Sequence, residues 1–325
     1  MSNMFVSWTR QNGRTADLAT TLGLEAQYVY LPSKLGLAGR YGRQLRATRR
    51  LIATRQPRSV ALMLPPAPAL LAFVGLGKRR PSRLAFDLHT GFFLDPKWAW
   101  ALTPSLRVMR RLGGTAIVTG SHLKGVCEAA GVPAIVLHDA LFTDTQTAAP
   151  GNYLLCPLSY ANDEPVLEIL AAARATPEVE WRLTGRAPEA VAAAAPPNVT
   201  FTGFVSEPEY DALLRGSLGV VALTTRAHTM QRAGYEAFGA GVPQITSDFA
   251  ELREFYGASA VFAAPHAASI SAAVRELREH RAMLIADLER IRTQRVEEQQ
   301  QALAAVRTAL GIRASSGASA TGGDE

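Results

Sequence analysis

The stretch TTRAHTMQRAGYEAFGAGVPQITSD, residues 224–248, decides the fold prediction. An apolar run before it, residues 218–223, has strand character. Residues 230–240 have the pattern of a helix that glycines end, and residues 243–246 form a second strand. A strand that feeds a helix through a polar loop collects free N–H groups and the positive end of the helix dipole at one place. That place suits a phosphate or a pyrophosphate.

Polar side chains cluster where this helix is predicted to begin. Thr229 is the expected N-cap, and Arg226 and His228 lie in the loop before it. Glu236 is a carboxylate on an otherwise small and apolar helix, and it could accept two hydrogen bonds from a ribose diol. We therefore predict a nucleotide-binding segment, whose members are Arg226, His228, Thr229, Met230, Gln231, Arg232 and Glu236.

The segment TMQRAGYEAFGAGVPQI resembles the nucleotide-sugar segment of GT-B glycosyltransferases, in particular the family-4-like group of glycosyl transferases group 1. That group usually carries two glutamates eight positions apart, ahead of an A-x-G-x-P turn. The turn here is GAGVP, so only its first residue differs. Glu236 matches the second glutamate, which in the family holds the ribose, whereas His228 stands at the position of the first. The resemblance implies a nucleotide-diphosphate sugar as donor substrate.

The likeness covers most of the C-terminal half well and the N-terminal half only loosely. Residues 198–214, NVTFTGFVSEPEYDALL, are similar to the family's strand and loop that touch the base. Family members also place an Arg and a Lys after the first strand of the second domain, where they grip the diphosphate. Residues 158–164 contain neither. Arg186 and Arg226 are the predicted substitutes, although each could equally be a solvated surface arginine.

Strands and helices alternate along the chain, which predicts an α/β fold with doubly wound parallel sheets. The resemblance implies the GT-B form, in which two Rossmann-like α/β/α domains face a central cleft. We expect an acceptor-binding domain at residues 1–142, a linker at 143–151 and a nucleotide-sugar-binding domain at 152–312. The final helix is expected to pack back on the first domain, and the Ser/Gly/Ala-rich tail at 313–325 to be disordered.

A second polar group follows a predicted buried strand in the first half. Asp87 ends that strand and His89 opens the loop, at the strand end where ligands bind in such sheets. If transfer retains configuration, as the resemblance implies, His89 would hydrogen-bond the donor sugar. If transfer inverts, Asp87 is the natural base for the acceptor hydroxyl. A structural histidine that caps the loop is the alternative, and Asp95 is expected to cap the next helix.

Gly13 follows the first predicted strand, where GT-B enzymes bring a backbone amide to the donor pyrophosphate; an ordinary turn is the alternative. The G-x-G-x-x-G fingerprint is absent, which disfavours a nicotinamide enzyme. Cys127 and Cys156 are isolated, as in a reduced cytosolic protein. Because GT-B catalysis usually proceeds without a bound metal and the sequence has no metal-ligand cluster, we expect neither metal nor cofactor.

Charge is distributed unevenly along the chain. Residues 1–146 contain 19 Lys and Arg against 7 Asp and Glu, a net of +12, and the remainder has 15 against 21, a net of −6, which together give the stated +6. A basic first half favours an anionic partner. Arginines mixed with aromatic residues fit an anionic membrane surface better than nucleic acid, for which no recognition module is present; solvated helix faces are the alternative. The residues concerned are those of the predicted helix 35–55 together with Lys78, Arg79, Arg80, Arg83, Trp98, Trp100, Arg107, Arg110 and Arg111.

The sequence thus predicts a metal-independent glycosyltransferase that moves a sugar from a nucleotide-diphosphate donor to a glycan or lipid-linked acceptor, in cell-surface or exopolysaccharide synthesis. We expect a cytoplasmic protein, peripheral on the inner face of the membrane, and no transmembrane span, since prolines interrupt the most apolar window at residues 60–77. Two alternatives stay open. One is a nucleotide-sugar epimerase, which needs several carboxylates; the other is a non-catalytic glycan- or lipid-binding relative.

Overall fold

The structure is a computed structural model that describes residues 3–141 and 150–312. The predicted tail and all but the last two residues of the predicted linker lie outside the described residues. Contacts divide the chain into two compact units. The first unit is Met1–His138 together with Gln300–Glu325, and the second unit is Asp139–Gln299.

The first unit is a six-stranded parallel sheet with helices between the strands. Its strands are β1 (Met4–Ser7), β2 (Glu25–Tyr28), β3 (Ser59–Leu64), β4 (Arg83–Leu88), β5 (Thr115–Val118) and β6 (Ala134–Val136). Its helices are α1 (Gly13–Leu22), α2 (Gly36–Arg55), α3 (Thr90–Leu94), α4 (Pro96–Leu112) and α5 (Ser121–Ala129), with 3₁₀ turns at Ala67–Phe73 and Gly77–Arg79. The strand order is β2-β1-β3-β4-β5-β6.

The second unit repeats this plan. Its strands are β7 (Tyr153–Cys156), β8 (Glu180–Thr184), β9 (Val199–Gly203), β10 (Gly219–Ala222), β11 (Gln244–Ser247) and β12 (Ala260–Ala263), in the order β12-β11-β10-β7-β8-β9. Its helices are α6 (Val166–Arg174), α7 (Glu189–Ala193), α8 (Glu207–Arg215), α9 (Arg232–Ala240), α10 (Ala250–Tyr256) and the first part of α11 (Ala267–Leu310). Non-helical dihedrals at His280 divide α11 into two parts.

Central strands of the first unit are buried on both faces, as expected for a parallel sheet covered by helices. All six residues of β3, the segment SVALML, are buried. The last turns of α11 belong to this unit, because Leu303, Val306 and Leu310 pack into a cluster with Phe5 and Ala61. Residues 300–312 lie in the range expected for the second domain, whose final helix is expected to pack back on the first, and their contacts place them in the first unit.

The start of the donor-segment helix differs from the prediction. Helix α9 begins at Arg232, and its N-cap is Gln231, so the expected N-cap Thr229 is wrong. His228 adopts a left-handed conformation with φ of 57°, and this turn in the chain delays the helix. Thr229 Oγ1 instead donates to the carbonyl oxygen of Ala227 at 3.3 Å. Met230 and Gln231 therefore lie in the loop.

Two further segments differ in the first unit. The loop expected to open at His89 is short, because Thr90 already begins the helix α3, and residues Ala67–Phe73 form a 3₁₀ turn. The predicted cap of α4 is confirmed, since Asp95 accepts a hydrogen bond from the N–H of Lys97 at 2.9 Å. Within residues 3–141 and 150–312, no helix is both long and apolar enough to span a membrane.

Candidate functional site

Asp87 lies in β4 and is completely buried. Arg14, in the first turn of α1, donates two guanidinium N–H groups to the Asp87 carboxylate. Nη2 donates to Oδ1 at 2.9 Å, and Nε lies 3.1 Å from Oδ1 and 3.2 Å from Oδ2. Nη2 also donates to the carbonyl oxygen of Leu137 at 2.8 Å. Burial alone would raise the pKa of Asp87, but the charge of Arg14 and hydrogen bonds from Arg14 and His89 hold that pKa well below its usual range.

His89 follows β4 directly and stands before α3. Its Nε2 lies 3.2 Å from Oδ2 of Asp87, and its side chain is 28% exposed. An ionised carboxylate can only accept, so Nε2 carries the hydrogen and Nδ1 is left for another partner. Asp87 is inaccessible and firmly ionised, which does not fit the predicted role of a base for an acceptor hydroxyl. The arrangement instead makes Asp87 the residue that orients His89.

Gly13 begins α1, immediately after the loop that follows β1. Asn12 caps this helix, because its side chain accepts from the N–H of Thr15 at 2.8 Å. The first N–H groups of a helix have no acceptor within the helix. Gly13 therefore occupies a position from which a backbone amide can bind an anion, next to Arg14 in sequence.

The second unit contains a pocket of about 480 Å³. Its wall comes from the loop after β7, from Thr184 at the end of β8, from Tyr210 of α8 and from the start of α9. These are loops at the carboxyl ends of neighbouring parallel strands, where α/β proteins bind ligands. Three carboxylates line it, Asp163, Glu164 and Glu236, against one guanidinium, Arg232.

Glu236 is fixed at the pocket wall by two donors. The hydroxyl of Tyr210 donates to Oε2 at 2.7 Å, and Arg232 Nε donates to Oε1 at 2.7 Å. Burial, followed by the charge of Glu236, raises the pKa of Tyr210, so its hydroxyl stays a donor. The Arg232–Glu236 pair is one helical turn apart and partly exposed, so a ligand can displace it at modest cost.

The loop after β7 folds around its own carboxylate. Glu164 accepts hydrogen bonds from the N–H of Ser159 at 3.1 Å and of Ala161 at 2.9 Å, and from the Ser159 hydroxyl at 3.0 Å. Tyr160, between them, has a left-handed φ of 57°. Converging N–H groups of this kind form a concavity that binds anions. Here a side chain of the protein occupies it.

Neither arginine predicted to bind a diphosphate lines this pocket. Arg186 lies with its guanidinium carbon 5.7 Å from the centre of the Phe204 ring, and both side chains are exposed. Arg226 has Nη2 at 3.9 Å from Oδ1 of Asp163. The glycine before Arg186, Gly185, has φ of 81°, and a Cβ there would lie 2.1 Å from the carbonyl oxygen of Leu158. This position excludes other residues because the β7 and β8 loops touch there.

The remaining predicted residues lie in the loop before α9. Nδ1 of His228 contacts a carboxylate oxygen of Glu251, which holds the imidazole in place. Met230 packs against the cluster that contains Tyr235 and Phe238. Gln231 Nε2 donates to the carbonyl oxygen of Leu223 at 2.8 Å, and its buried Oε1 has no partner among the described residues. The structure thus brings Gln231, Arg232 and Glu236 together on the pocket, while Arg186, Arg226, His228, Thr229 and Met230 are not on its wall.

Sequence reasoning missed five side chains that shape these sites: Arg14, Asp163, Glu164, Tyr210 and Glu251. Arg14 and Asp87 are 73 positions apart, and no pattern in the sequence joins them. Tyr210 is an aromatic residue within residues 198–214, the stretch that resembles the base-binding segment, so its position could have singled it out, although its contact with Glu236 could not be predicted. Across residues 3–141 and 150–312 there is no group of three or more His, Cys, Asp or Glu side chains arranged to hold a metal ion.

Comparison with known proteins gives one match to a sequence family and several to solved structures. A sequence model described as "Glycosyl transferases group 1" matches residues 163–280. Anabaena HepE in complex with UDP and glucose superposes with a TM-score of 0.73 at 15% identity, over 95% of this chain and 100% of that one. A Rickettsia africae glycosyltransferase gives 0.66 at 10% identity, over 95% and 98%. An S. aureus TarM mutant in complex with fondaparinux, alpha-GlcNAc-glycerol and UDP gives 0.65 at 10% identity, over 82% and 59%.

No curated protein sequence matches the chain. The predicted α/β class and GT-B fold are confirmed, with two parallel six-stranded sheets covered by helices. The predicted resemblance to group 1 glycosyltransferases of the family-4-like type is confirmed as well.

Proposed function

We propose that this chain transfers a sugar from a nucleotide-diphosphate donor to a glycan or lipid-linked acceptor, in the synthesis of cell-surface or exopolysaccharide. The observation that carries the proposal is Glu236, held by Tyr210 and Arg232 on the wall of a 480 Å³ pocket at the start of α9. An ionised carboxylate has only acceptor oxygens, so it can accept hydrogen bonds from both hydroxyl groups of a ribose. UDP in the complexes of Anabaena HepE and S. aureus TarM supports a nucleotide donor.

The donor diphosphate would lie at the N-terminus of α9. Gln231 makes no side-chain capping bond there, and the N–H of Gly234 donates to the Gln231 carbonyl oxygen at 3.1 Å, so the proposed anion contact falls on the very start of the helix. Arg232 lies in that turn, and Arg226, His228 and Thr229 precede it. Positive charge and oriented N–H groups can stabilise a leaving diphosphate as a metal ion would, which supports the metal-independent mechanism.

His89 would contact the transferred sugar through Nδ1, because Asp87 occupies Nε2. In this scheme His89 is the catalytic residue, and Asp87 with Arg14 positions it. Gly13 would offer its backbone amide to the pyrophosphate. The first unit would take the acceptor and approach an anionic membrane surface, as its excess of basic residues supports.

Thermal unfolding with a panel of nucleoside diphosphates, each at about 100 times its Kd, tests the donor site. A bound nucleotide would add roughly 2.7 kcal/mol to the free energy of unfolding. The shift should occur with one base, disappear in Glu236→Ala and persist in the control Glu189→Ala, since Glu189 is exposed on α7. No shift with any nucleotide would remove the donor-site assignment.

Turnover is tested separately, by release of nucleoside diphosphate from sugar donors in the presence of lipid-linked and glycan acceptors. His89→Gln should lose turnover and keep the nucleotide shift, while the control His280→Gln, at the exposed break in α11, should keep both. Nucleotide binding by the wild type without any turnover would favour the non-catalytic relative. Interconversion of the donor sugar without an acceptor would favour the epimerase.

A further inference from the structure

A second pocket, of about 400 Å³, lies in the first unit and plays no part in the site described above. It is formed by residues 73–77, by Arg80 and by Val108, Arg111 and Leu112 in the last turns of α4. The chain next enters β4 after Arg80 and β5 after Leu112, so this pocket lies at the amino ends of those strands. Gly13 and His89 follow the carboxyl ends of β1 and β4, at the opposite edge of the same sheet.

The chemistry of this second pocket is mixed. Phe73, Val74 and Leu76 give it an apolar wall, and Arg80 and Arg111 stand on its rim with exposed side chains. Within the described part of the chain, neither guanidinium has a carboxylate at ion-pair distance. Four more cations near them in sequence also lack a carboxylate at ion-pair distance among the described residues, namely Lys78, Arg79, Arg83 and Arg107.

Ordinary helix electrostatics explains only part of this charge. Arg110 and Arg111 end α4, where the helix dipole favours cations. It does not account for three successive basic residues in and after the 3₁₀ turn Gly77–Arg79. Nor does it account for Arg49, whose Nη2 donates to the carbonyl oxygens of Leu71 at 3.0 Å and Val74 at 2.9 Å and so fixes the loop beside the pocket.

The helical layer that carries this pocket also exposes large apolar side chains. The first unit has six large hydrophobic residues with substantial exposure among those described, and all belong to the layer formed by α2, the first 3₁₀ turn, α3, α4 and the residues adjoining them. Val74, which lines the pocket, is 40% exposed, and Leu71, three residues before it, is 48% exposed. Trp100 is 73% exposed on α4. The others are Leu35, Leu37 and Leu94. Apolar side chains among unpaired cations suit the boundary between lipid headgroups and acyl chains.

We propose that this pocket binds the phosphate headgroup of an anionic phospholipid and docks the layer containing α2 and α4 on an anionic membrane. Arg80 and Arg111 bind the phosphate, and Val74 and Leu71 meet the first carbons of the acyl chains. Arginine is suited to this contact, because its planar guanidinium forms two parallel hydrogen bonds to phosphate oxygens. The inference deepens the membrane association contained in the proposed function and rests on it.

Sedimentation with vesicles of phosphatidylglycerol and phosphatidylcholine tests the site. The wild type should partition onto anionic vesicles, weakly onto pure phosphatidylcholine, and less as salt rises. Each basic residue near an anionic surface contributes roughly fivefold to binding, so Arg80→Gln/Arg111→Gln should reduce partitioning about 25-fold. The control Lys124→Gln/Arg275→Gln removes the same charge from α5 and α11 and should change partitioning less than fivefold. Leu71→Ser/Val74→Ser keeps the charge and should also weaken binding.

An equal loss of partitioning in the control and in the Arg80/Arg111 variant would refute the lipid site in the pocket. It would mean that general electrostatic attraction alone binds the protein to the vesicles. Stabilisation by inorganic phosphate or glycerol phosphate without vesicle binding would identify a soluble anion site instead, and oligonucleotide binding without vesicle binding would identify nucleic acid. Nucleotide-induced thermal shifts on the same variants separate the two proposals. A nucleotide shift without vesicle binding contradicts the lipid site alone, whereas vesicle binding without a nucleotide shift contradicts the donor site alone.

Discussion

Each unit has an ion pair near the carboxyl ends of its strands. The pair of the first unit is buried, whereas the pair of the second unit is partly exposed to solvent. The side chains of Arg14 and Asp87 are 7% and 1% exposed, and those of Arg232 and Glu236 are 47% and 28% exposed. The same pairing of guanidinium and carboxylate therefore serves two purposes. Where water is excluded, the pair is a fixed support for His89. Where water has access, either residue of the pair can release its partner and bind a ligand instead.

The free energies behind this difference are set by desolvation. Removing one partner of a buried pair leaves a charge that water cannot reach, which costs far more than the pair itself contributes. A half-exposed partner is simply solvated again. Substitution of Asp87 should therefore destabilise the first unit strongly. Substitution of Glu236 should hardly change the stability of the second unit, and its effect should be on ligand binding.

The largest expected effect is that of Asp87→Asn on stability. It leaves Arg14 charged and buried, so the free energy of unfolding should fall by about 3–5 kcal/mol. Glu236→Gln should cost less than about 1 kcal/mol. Urea denaturation of both variants measures the difference. The double variant Arg14→Met/Asp87→Leu should recover part of the loss, and equal effects at Asp87 and Glu236 would refute the distinction between the two edges.

The pH dependence of the Asp87 contribution comes next in size. Its folded-state pKa is lowered below the ordinary value of about 3.9, so the stabilisation is complete above that pH and is lost as pH falls toward the folded-state pKa. The advantage of the wild type over Asp87→Asn should therefore shrink by about 1.4 kcal/mol per pH unit below pH 4. Denaturation at pH 7, 4 and 3 measures it. An advantage that grows on acidification would contradict the ion pair.

Predictability from sequence follows the range of the interactions involved. The alternation of apolar strands with helices is local, and it predicted the α/β class and the parallel sheets. The Asp95 cap is also local, spanning two residues. By contrast, the contact of Arg14 with Asp87 and that of Tyr210 with Glu236 join different elements, and sequence spacing carries no trace of them.

The same reasoning explains the errors at the nucleotide-binding segment. Thr229 has the composition of an N-cap, but the left-handed turn at His228 and its contact with Glu251 delay the helix to Arg232. Glu164 illustrates the opposite case. The absence of an Arg and a Lys after β7 is visible in the sequence, whereas the closure of the loop on its own carboxylate depends on backbone conformation at Tyr160.

Tyr210→Phe should have an intermediate effect at the exposed edge. It removes the hydroxyl that donates to Glu236 and keeps the ring, so the free energy of unfolding should change by about 1 kcal/mol. Nucleotide binding should weaken less than in Glu236→Ala, because the carboxylate remains but is held only by Arg232. Calorimetric titration of the nucleotide into both variants measures this. Binding weakened more by Tyr210→Phe than by Glu236→Ala would mean that Tyr210, and not Glu236, is the main contact.

The smallest and most diagnostic effect is expected at Glu164, because its sign is the reverse of an ordinary site mutation. Its carboxylate fills a concavity of N–H groups beside the proposed diphosphate. Glu164→Gln keeps an oxygen for the N–H groups of Ser159 and Ala161 and removes a negative charge. At about 7 Å in water such a charge opposes a phosphate by about 0.6 kcal/mol, so nucleotide binding should tighten about threefold.

Calorimetric titration of the nucleotide into Glu164→Gln and into the control Glu189→Gln measures this effect. Glu189 does not line the pocket, so the difference between the two variants is the local contribution of the Glu164 charge to nucleotide affinity. Tighter binding in Glu164→Gln alone would mean that the second unit restrains its own affinity with an internal anion. Weaker binding would mean that the full carboxylate is needed to hold the loop in its binding conformation. In that case the exposed edge would depend on a fixed charge just as the buried edge does, and the contrast between the two units would be one of burial only.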